Sequence, residues 1–100
     1  MPSLSINAPH ALGTEEATTR LKNFFQKLKE RHQDKVSNLE EQWQDNRLEY
    51  AFSTYGFHIK GDVTVEPNEV KLHGVLPFAA MMFKGKIEQT VREELEKLLA

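Results

Sequence analysis

Apolar and polar residues alternate in five short stretches of this chain, the pattern of strands with one buried and one solvated face. The first stretch is centred on Leu4, Ile6 and Ala8. The other four follow one another between residues 39 and 76, and residues typical of tight turns separate them: Asp45-Asn46, Gly56 and Pro67-Asn68. The alternation therefore predicts one isolated strand and a four-stranded antiparallel meander.

Two further stretches have apolar residues at helical spacing. The first predicts a helix over residues 14–33, with an apolar stripe formed by Ala17, Leu21, Phe24, Phe25, Leu28 and His32. The second predicts a helix that begins at Pro77, since proline suits the first helical position, with an inward stripe formed by Ala80, Phe83, Ile87, Val91, Leu95 and Leu98. The order β-α-β-β-β-β-α predicts a single α+β domain over residues 1–100. We expect a curved antiparallel sheet that packs on a long C-terminal helix and one N-terminal helix, with the first strand beside the last.

The tight turns also predict which residues face each other across the sheet. They generate three rows on the inner face: Leu39–Phe52–Ile59–Leu76, Trp43–Leu48–Val63–Leu72 and, between these two, Glu41–Tyr50–Gly61–Gly74. All three turns place the apolar residues on the same face, so the predicted register is internally consistent.

Composition narrows the classes of function. One hundred residues with a net charge of −2 and no basic face argue against nucleic acid as the main partner. The absence of cysteine excludes disulfides, thiol catalysis and thiolate metal sites, and it fits a reducing compartment. Because no basic and apolar leader and no apolar run of about 20 residues occur, we expect a cytoplasmic protein without a membrane span.

The middle row contains two facing glycines, Gly61 and Gly74, where side chains are expected. Glycine within a strand often marks a close approach of a ligand or of another part of the chain. One interpretation is the floor of a small pocket, with Tyr50 and Glu41 as its polar groups. The alternative is that the sheet bends here and a helix or the Tyr50 ring fills the gap. Glu41 then needs water or a partner, because an unpaired buried carboxylate is costly.

No group of residues predicts catalysis. The outer row Gln42–Glu49–Asp62–His73 contains metal-binding side chains, but solvated faces of sheets often carry such rows, and no ligand-spacing motif is present. Neither a nucleophile motif nor a nucleotide-binding motif occurs. We therefore expect a protein that is not an enzyme and that holds no metal or cofactor.

The start of the last helix is unusually apolar. On a helical wheel, Phe78, Met81 and Met82 lie far from the inward stripe, so the sheet does not cover them all. Lys84 and Lys86 follow directly and place positive charge at the rim. Such patches often mark binding surfaces, and methionine adapts well to irregular partners. The alternatives are that the first helix or first loop covers these residues, or that they form the interface of a homodimer.

The opening PSLSINAPHALGTEEA, the meander segment YGFHIKGDVTVE and the ending LPFAAMMFKGKIEQTVREELEKLLA resemble the polyhydroxyalkanoic acid system family of small bacterial proteins. The resemblance implies a cytoplasmic protein associated with polyhydroxyalkanoate storage, and it brings no catalytic residues. The order of elements also resembles a shortened helix-grip domain of the START-like type. Since this chain lacks strands and a helix that the larger domains use to enclose a cavity, we expect no large cavity.

Three hypotheses follow. The leading one is a non-enzymatic accessory protein that contacts a storage granule or a granule-associated protein through Phe78, Met81, Met82 and Phe83, with Lys84 and Lys86 at the rim. The second is a domain that binds a small hydrophobic or acyl ligand between the glycine row and the final helix. The third is a homodimer whose interface is the apolar patch.

Overall fold

The computed structural model describes residues 3–31, 34–54 and 56–100. Within these residues the elements follow in the order β1 (Ser3–Pro9), α1 (Gly13–Arg31), β2 (Ser37–Gln44), β3 (Arg47–Thr54), β4 (Phe57–Val65), β5 (Glu69–Val75), a 3-10 segment (Phe78–Phe83) and α2 (Lys84–Leu99). The predicted α+β fold and order of elements are confirmed, with one change at the start of the last helix.

The five strands form one curved antiparallel sheet in the order β1-β5-β4-β3-β2. The first strand pairs with the last, as predicted. Each predicted hairpin turn is present: Gln44 pairs with Arg47 and Thr54 with Phe57, while the backbone N–H of Glu66 donates to the carbonyl of Glu69 at 2.8 Å. Asp45 and Gly56 have φ values of 56° and 81°, the positive values that tight hairpin turns require.

Two of the three predicted inner rows are confirmed in full. The structure pairs Trp43–Leu48–Val63–Leu72 and Glu41–Tyr50–Gly61–Gly74, and β1 extends these rows with Ile6 and Leu4. The third row is correct only in the pairing of Phe52 with Ile59. Ser37 pairs with Ser53 and Glu40 with Ala51, so both Asn38 and Leu39 lie opposite Phe52 in a bulge. Asn38 adopts a φ of 54° there, and Leu76 lies beyond the end of β5.

Both helices pack on the inner face of the sheet. The core combines residues from every strand except β2 with residues from both helices: Leu4, Ile6, Ala8, Ala17, Leu21, Phe25, Leu48, Tyr50, Val63, Val65, Val70, Leu76, Ala80, Leu95 and Leu99. Full burial of one Leu, Ile or Phe side chain stabilises a fold by roughly 1.5–3 kcal/mol. The predicted stripe of α1 is buried or half-buried as far as Leu28, and its last member, His32, lies outside the described residues.

The last helix does not begin at Pro77 as predicted. Pro77 is extended, with a ψ of 149°, and the next six residues form a 3-10 segment before α2 begins at Lys84. A 3-10 turn has three residues rather than 3.6, so the helical wheel does not apply to this segment. Phe83, which the wheel places on the inward stripe, is instead 53% exposed.

Candidate functional site

The 3-10 segment presents four large apolar side chains to solvent, and these four residues are named here the apolar cluster. Phe78 and Met82 are 80% and 83% exposed, while Met81 and Phe83 are 48% and 53% exposed. Among the described residues, these are the large hydrophobic side chains that the fold leaves exposed. The structure therefore places all four predicted apolar binding residues at the surface.

One buried side chain and two local backbone hydrogen bonds fix the apolar cluster. The side chain of Ala80 is buried, and its N–H donates to the carbonyl of Pro77 at 2.9 Å. The N–H of Lys84 donates to the carbonyl of Met81 and joins the segment to α2. In a 3-10 turn residues three apart lie on the same side, so burying Ala80 turns Phe78, Met81 and Met82 away from the core. Phe83 lies three residues after Ala80, at the junction with α2, and is 53% exposed. The exposure of Phe78, Met81 and Met82 is thus a consequence of how this segment is anchored.

The two predicted rim lysines differ. The Nζ of Lys84 lies 3.8 Å from the Oε1 of Glu88, one helical turn further on, and its side chain is 43% exposed. Lys86 is exposed on the same first turn of α2. The rim of the cluster thus contains one lysine beside a carboxylate and one lysine that faces solvent.

The glycine row is present, and the Tyr50 side chain fills its gap. The Tyr50 hydroxyl donates to the carbonyl of His73 at 3.1 Å. A Cβ atom added at Gly61 would collide with that same carbonyl oxygen and would lie 2.7 Å from the Tyr50 oxygen; one added at Gly74 would lie 3.1 Å from it. The two glycines thus make room for the hydroxyl, as the alternative interpretation of the row proposes.

The Tyr50 hydroxyl stays protonated over a wide pH range. Burial, with a smaller contribution from the Asp62 carboxylate, raises the pKa of Tyr50 to about 12. Its ring packs between Phe25 and Phe52, with centroids 6.2 Å and 6.1 Å away. The group is a neutral hydrogen-bond donor that holds the centre of the sheet together.

Glu41 has two partners that the sequence analysis did not identify. Lys29 of α1 places its Nζ 2.7 Å from Oε1, and the indole Nε1 of Trp43 donates to Oε2 at 3.0 Å. Lys22 lies over the Trp43 ring at 5.3 Å. Lys22 and Lys29 are seven residues apart and therefore lie on one side of α1. The contacts of these lysines with Trp43 and Glu41 show that this side faces the edge strand β2. Glu41 ties the helix to the edge strand, which is a structural role.

An apolar cavity of about 220 Å³ lies between the sheet and the two helices. Tyr50 and Gly74 of the glycine row line it, whereas Glu41 and Gly61 are not among its lining residues. Most of the wall comes from positions that the sequence analysis assigned to the core: Leu4, Leu21, Phe24, Phe25, Leu28, Phe52, Ile59, Val63, Leu72, Leu76, Ile87, Val91, Leu95 and Leu98. The remaining lining residues are Thr90 and Glu94 of α2. The cavity lies between the glycine row and the last helix, where the second hypothesis places a ligand, and α1 contributes a third side that this hypothesis did not include.

The outer face shows ion pairs rather than a metal centre. Gln42, Glu49, Asp62 and His73 form the predicted row, and the Nη2 of Arg47 lies 3.3 Å from the Oδ2 of Asp62. Within residues 3–31, 34–54 and 56–100, no group of three or more His, Asp or Glu side chains is arranged to hold a metal ion.

Comparison with known proteins identifies one family. The profile of the family described as “Putative polyhydroxyalkanoic acid system protein” matches residues 4–99. No curated protein and no solved structure matches the chain. In the part of the chain that the structure describes, neither α1 nor α2 has the length and apolarity needed to cross a bilayer. The START-like resemblance stays a prediction.

Proposed function

The chain belongs to the polyhydroxyalkanoic acid system family, and on that basis we propose that it is a non-catalytic, cytoplasmic accessory protein of polyhydroxyalkanoate storage that contacts the polymer granule through its apolar cluster. The observation that carries the proposal is the exposure of Phe78, Met81, Met82 and Phe83 on one short anchored segment. Soluble monomeric proteins seldom expose contiguous apolar patches without a binding role.

The chemistry of the apolar cluster suits a polymer surface. Polyhydroxyalkanoates are neutral aliphatic polyesters, so contact with them requires apolar area rather than paired charges. The side chains of Met81 and Met82 are unbranched and flexible, and they adapt to an irregular surface better than branched residues do. Lys84 and Lys86 extend from the rim and keep that edge of the contact hydrated.

The energy available fits reversible attachment. Transfer of a large apolar side chain from water to an apolar surface contributes roughly 1.5–3 kcal/mol when burial is complete. Met81 and Phe83 are already about half covered, so they contribute less than Phe78 and Met82. The sum must also offset the loss of translational and rotational freedom. We therefore expect binding that is readily reversed on dilution.

The test is co-sedimentation with protein-free particles of purified poly(3-hydroxybutyrate). Replacing both Met81 and Met82 with glutamate adds two charges to the cluster, and we expect binding to fall at least tenfold. The matched control, Asn23→Glu with Gln44→Glu, adds the same charge at exposed positions on α1 and β2, and it should bind like the wild type. Circular dichroism and the Tm of each variant establish that both remain folded.

Three outcomes separate the alternatives. A folded Met81→Glu/Met82→Glu variant that sediments like the wild type overturns the proposal. Binding to native granules but not to protein-free particles assigns the cluster to a granule-associated protein instead. Sedimentation velocity at micromolar concentration tests the homodimer: a wild-type dimer that the two glutamates convert to a monomer makes the cluster a subunit interface.

A further inference from the structure

The cavity between the sheet and the helices is a second apolar region, separate from the apolar cluster. Protein interiors are close-packed, and voids much larger than a water molecule are few in a small domain. Eight described residues that pack half-buried around the core line this cavity of about 220 Å³: Phe24, Leu28, Phe52, Ile59, Leu72, Ile87, Val91 and Leu98. Large apolar side chains are thus left incompletely covered around an unfilled space, the arrangement of a binding cavity.

The exposed residues of the cavity lining are both on α2, and we infer that the cavity opens on this side. Of the lining residues, only Thr90 and Glu94 are exposed, and they lie one helical turn apart. The other lining residues are buried or half-buried. A ligand that enters here therefore meets apolar walls inside and two polar side chains at the entrance.

The charges around the cavity disfavour the binding of an anionic ligand. Among the described lining residues there is no Lys, Arg or His to pair with a carboxylate. The Glu94 carboxylate at the opening repels one. Lys97 lies 3.9 Å from Glu94, but both side chains are more than half exposed, so water screens this pair and the cation does not line the cavity. The hydroxyl of Thr90 is able to donate to an uncharged ester or alcohol oxygen.

We propose that this cavity binds one neutral aliphatic chain with an uncharged ester or hydroxyl group, the chain between the sheet and the helices and the oxygen at Thr90. An apolar cavity of about 150 Å³ accommodates benzene, with six carbon atoms, so a volume near 220 Å³ corresponds to a molecule of roughly nine carbon atoms. The inference is independent of granule contact, because it uses none of the apolar cluster residues.

The first test measures the Tm of the wild type with methyl octanoate, 1-octanol and sodium octanoate at pH 8. At about tenfold above its Kd, a ligand of the native state raises the Tm of a domain of this size by about 7 °C. We expect the ester and the alcohol to raise the Tm and the carboxylate to leave it unchanged. Absence of a shift with the neutral compounds up to their solubility limit overturns the proposal.

The second test locates the site. Val91→Phe fills the cavity, so we expect it to abolish the shift with methyl octanoate. The matched control, Val75→Phe, makes the same change at a half-buried position of β5 that does not line the cavity, and it should respond like the wild type. If Val91→Phe keeps the full response, the ligand binds elsewhere and the assignment is wrong. Ligand-induced changes in the methyl resonances of Ile59, Ile87 and Leu98 provide a direct check.

The third test concerns charge. Glu94→Lys replaces the repelling carboxylate with a cation, so octanoate should now raise the Tm, while the response to methyl octanoate stays within about twofold. No gain of octanoate binding contradicts the role assigned to Glu94. Met81→Glu/Met82→Glu should keep the response to methyl octanoate, and Val91→Phe should keep granule binding, so the two proposals fail separately.

Discussion

The β3–β4 hairpin has two ends that look alike in sequence and differ in packing. At one end Leu48 and Val65 have no exposed area and do not line the cavity. At the other end Phe52 and Ile59, which follow the same alternating pattern, are only half-buried and line the cavity. The residues of the sheet do not explain this difference, because both ends carry large apolar side chains on the same face.

The helices that cover the sheet explain the difference. Arg20 of α1 donates from Nη1 to the backbone oxygens of Leu98 and Ala100, at 3.1 Å and 2.7 Å, and joins the middle of α1 to the end of α2. The half-buried residues Phe24 and Leu28 come after Arg20, and Ile87 comes well before Leu98. Away from this tie the helices cover the sheet less completely. One end of the hairpin is therefore fully covered by the helices, and we call it the packed end. The other end is only partly covered and faces the cavity, and we call it the open end.

The largest loss of stability is expected for a substitution at Gly61, which lies between the two ends of the hairpin. Gly61 lies on β4 between Ile59 and Val63, and a Cβ atom there collides with the backbone carbonyl of His73 as well as approaching the Tyr50 hydroxyl. Because a backbone atom in the middle of a sheet cannot move aside easily, Gly61→Ala should lower the free energy of unfolding by about 3 kcal/mol or more. Urea denaturation measures the change.

Gly74→Ala is the matched control for this prediction. The added Cβ would lie 3.1 Å from the end of the Tyr50 side chain and 3.6 Å from the Leu4 side chain, both of which have some freedom to adjust. We expect a clearly smaller loss of stability than for Gly61→Ala. Equal losses of stability for the two variants would show that the collision with the His73 carbonyl is not what makes Gly61→Ala destabilising.

The same substitution, leucine to alanine, compares the stability contributed by the two ends. Leu48→Ala removes a side chain with no exposed area and should lower the free energy of unfolding by about 3 kcal/mol. Leu28→Ala removes a half-buried side chain at the open end and should cost about 1 kcal/mol, because less area returns to water. Leu28→Ala should also weaken methyl octanoate binding, whereas a folded Leu48→Ala variant should not. Losses of similar size would contradict the division into two ends.

Features that depend on local sequence patterns were predictable, and features that depend on long-range contacts were not. The turn residues and the alternation determine which residues pair across the sheet, so the order of strands and the pairing of Tyr50 with Gly61 were predictable. The spacing between the sheet and the helices depends on long-range contacts such as Arg20 with Leu98, which no local pattern encodes. The sequence could therefore suggest a ligand between the glycine row and the last helix, but it could not predict the size of the cavity or the contribution of α1 to its wall.

Two local errors had different causes. The bulge at Asn38 and Leu39 depends on one residue with a positive φ, and asparagine permits this conformation without requiring it. The 3-10 start of the last helix follows from Pro77 remaining extended, where the helical position that favours proline was assumed.

The smallest expected effect at neutral pH concerns Tyr50, which links the two ends of β3. Tyr50→Phe removes the hydrogen bond to the His73 carbonyl and should cost about 1 kcal/mol at pH 7. The pKa of this group is about 12 in the folded protein against 10.0 for an unperturbed tyrosine, so the folded state holds the proton more tightly. The corresponding stability is fully present below pH 10 and is lost as the pH rises through 12.

The wild type should therefore lose roughly 2–3 kcal/mol through this group between pH 10 and 12, and Tyr50→Phe should not. Because other groups titrate in the same range, the quantity to measure is the difference in free energy of unfolding between wild type and variant at each pH. We expect the wild type to be the more stable protein at pH 7 and to lose this advantage above pH 10. A difference that stays constant up to pH 12 would mean that the hydroxyl is not shielded from water, and the boundary between the packed and the open end would then be hydrated.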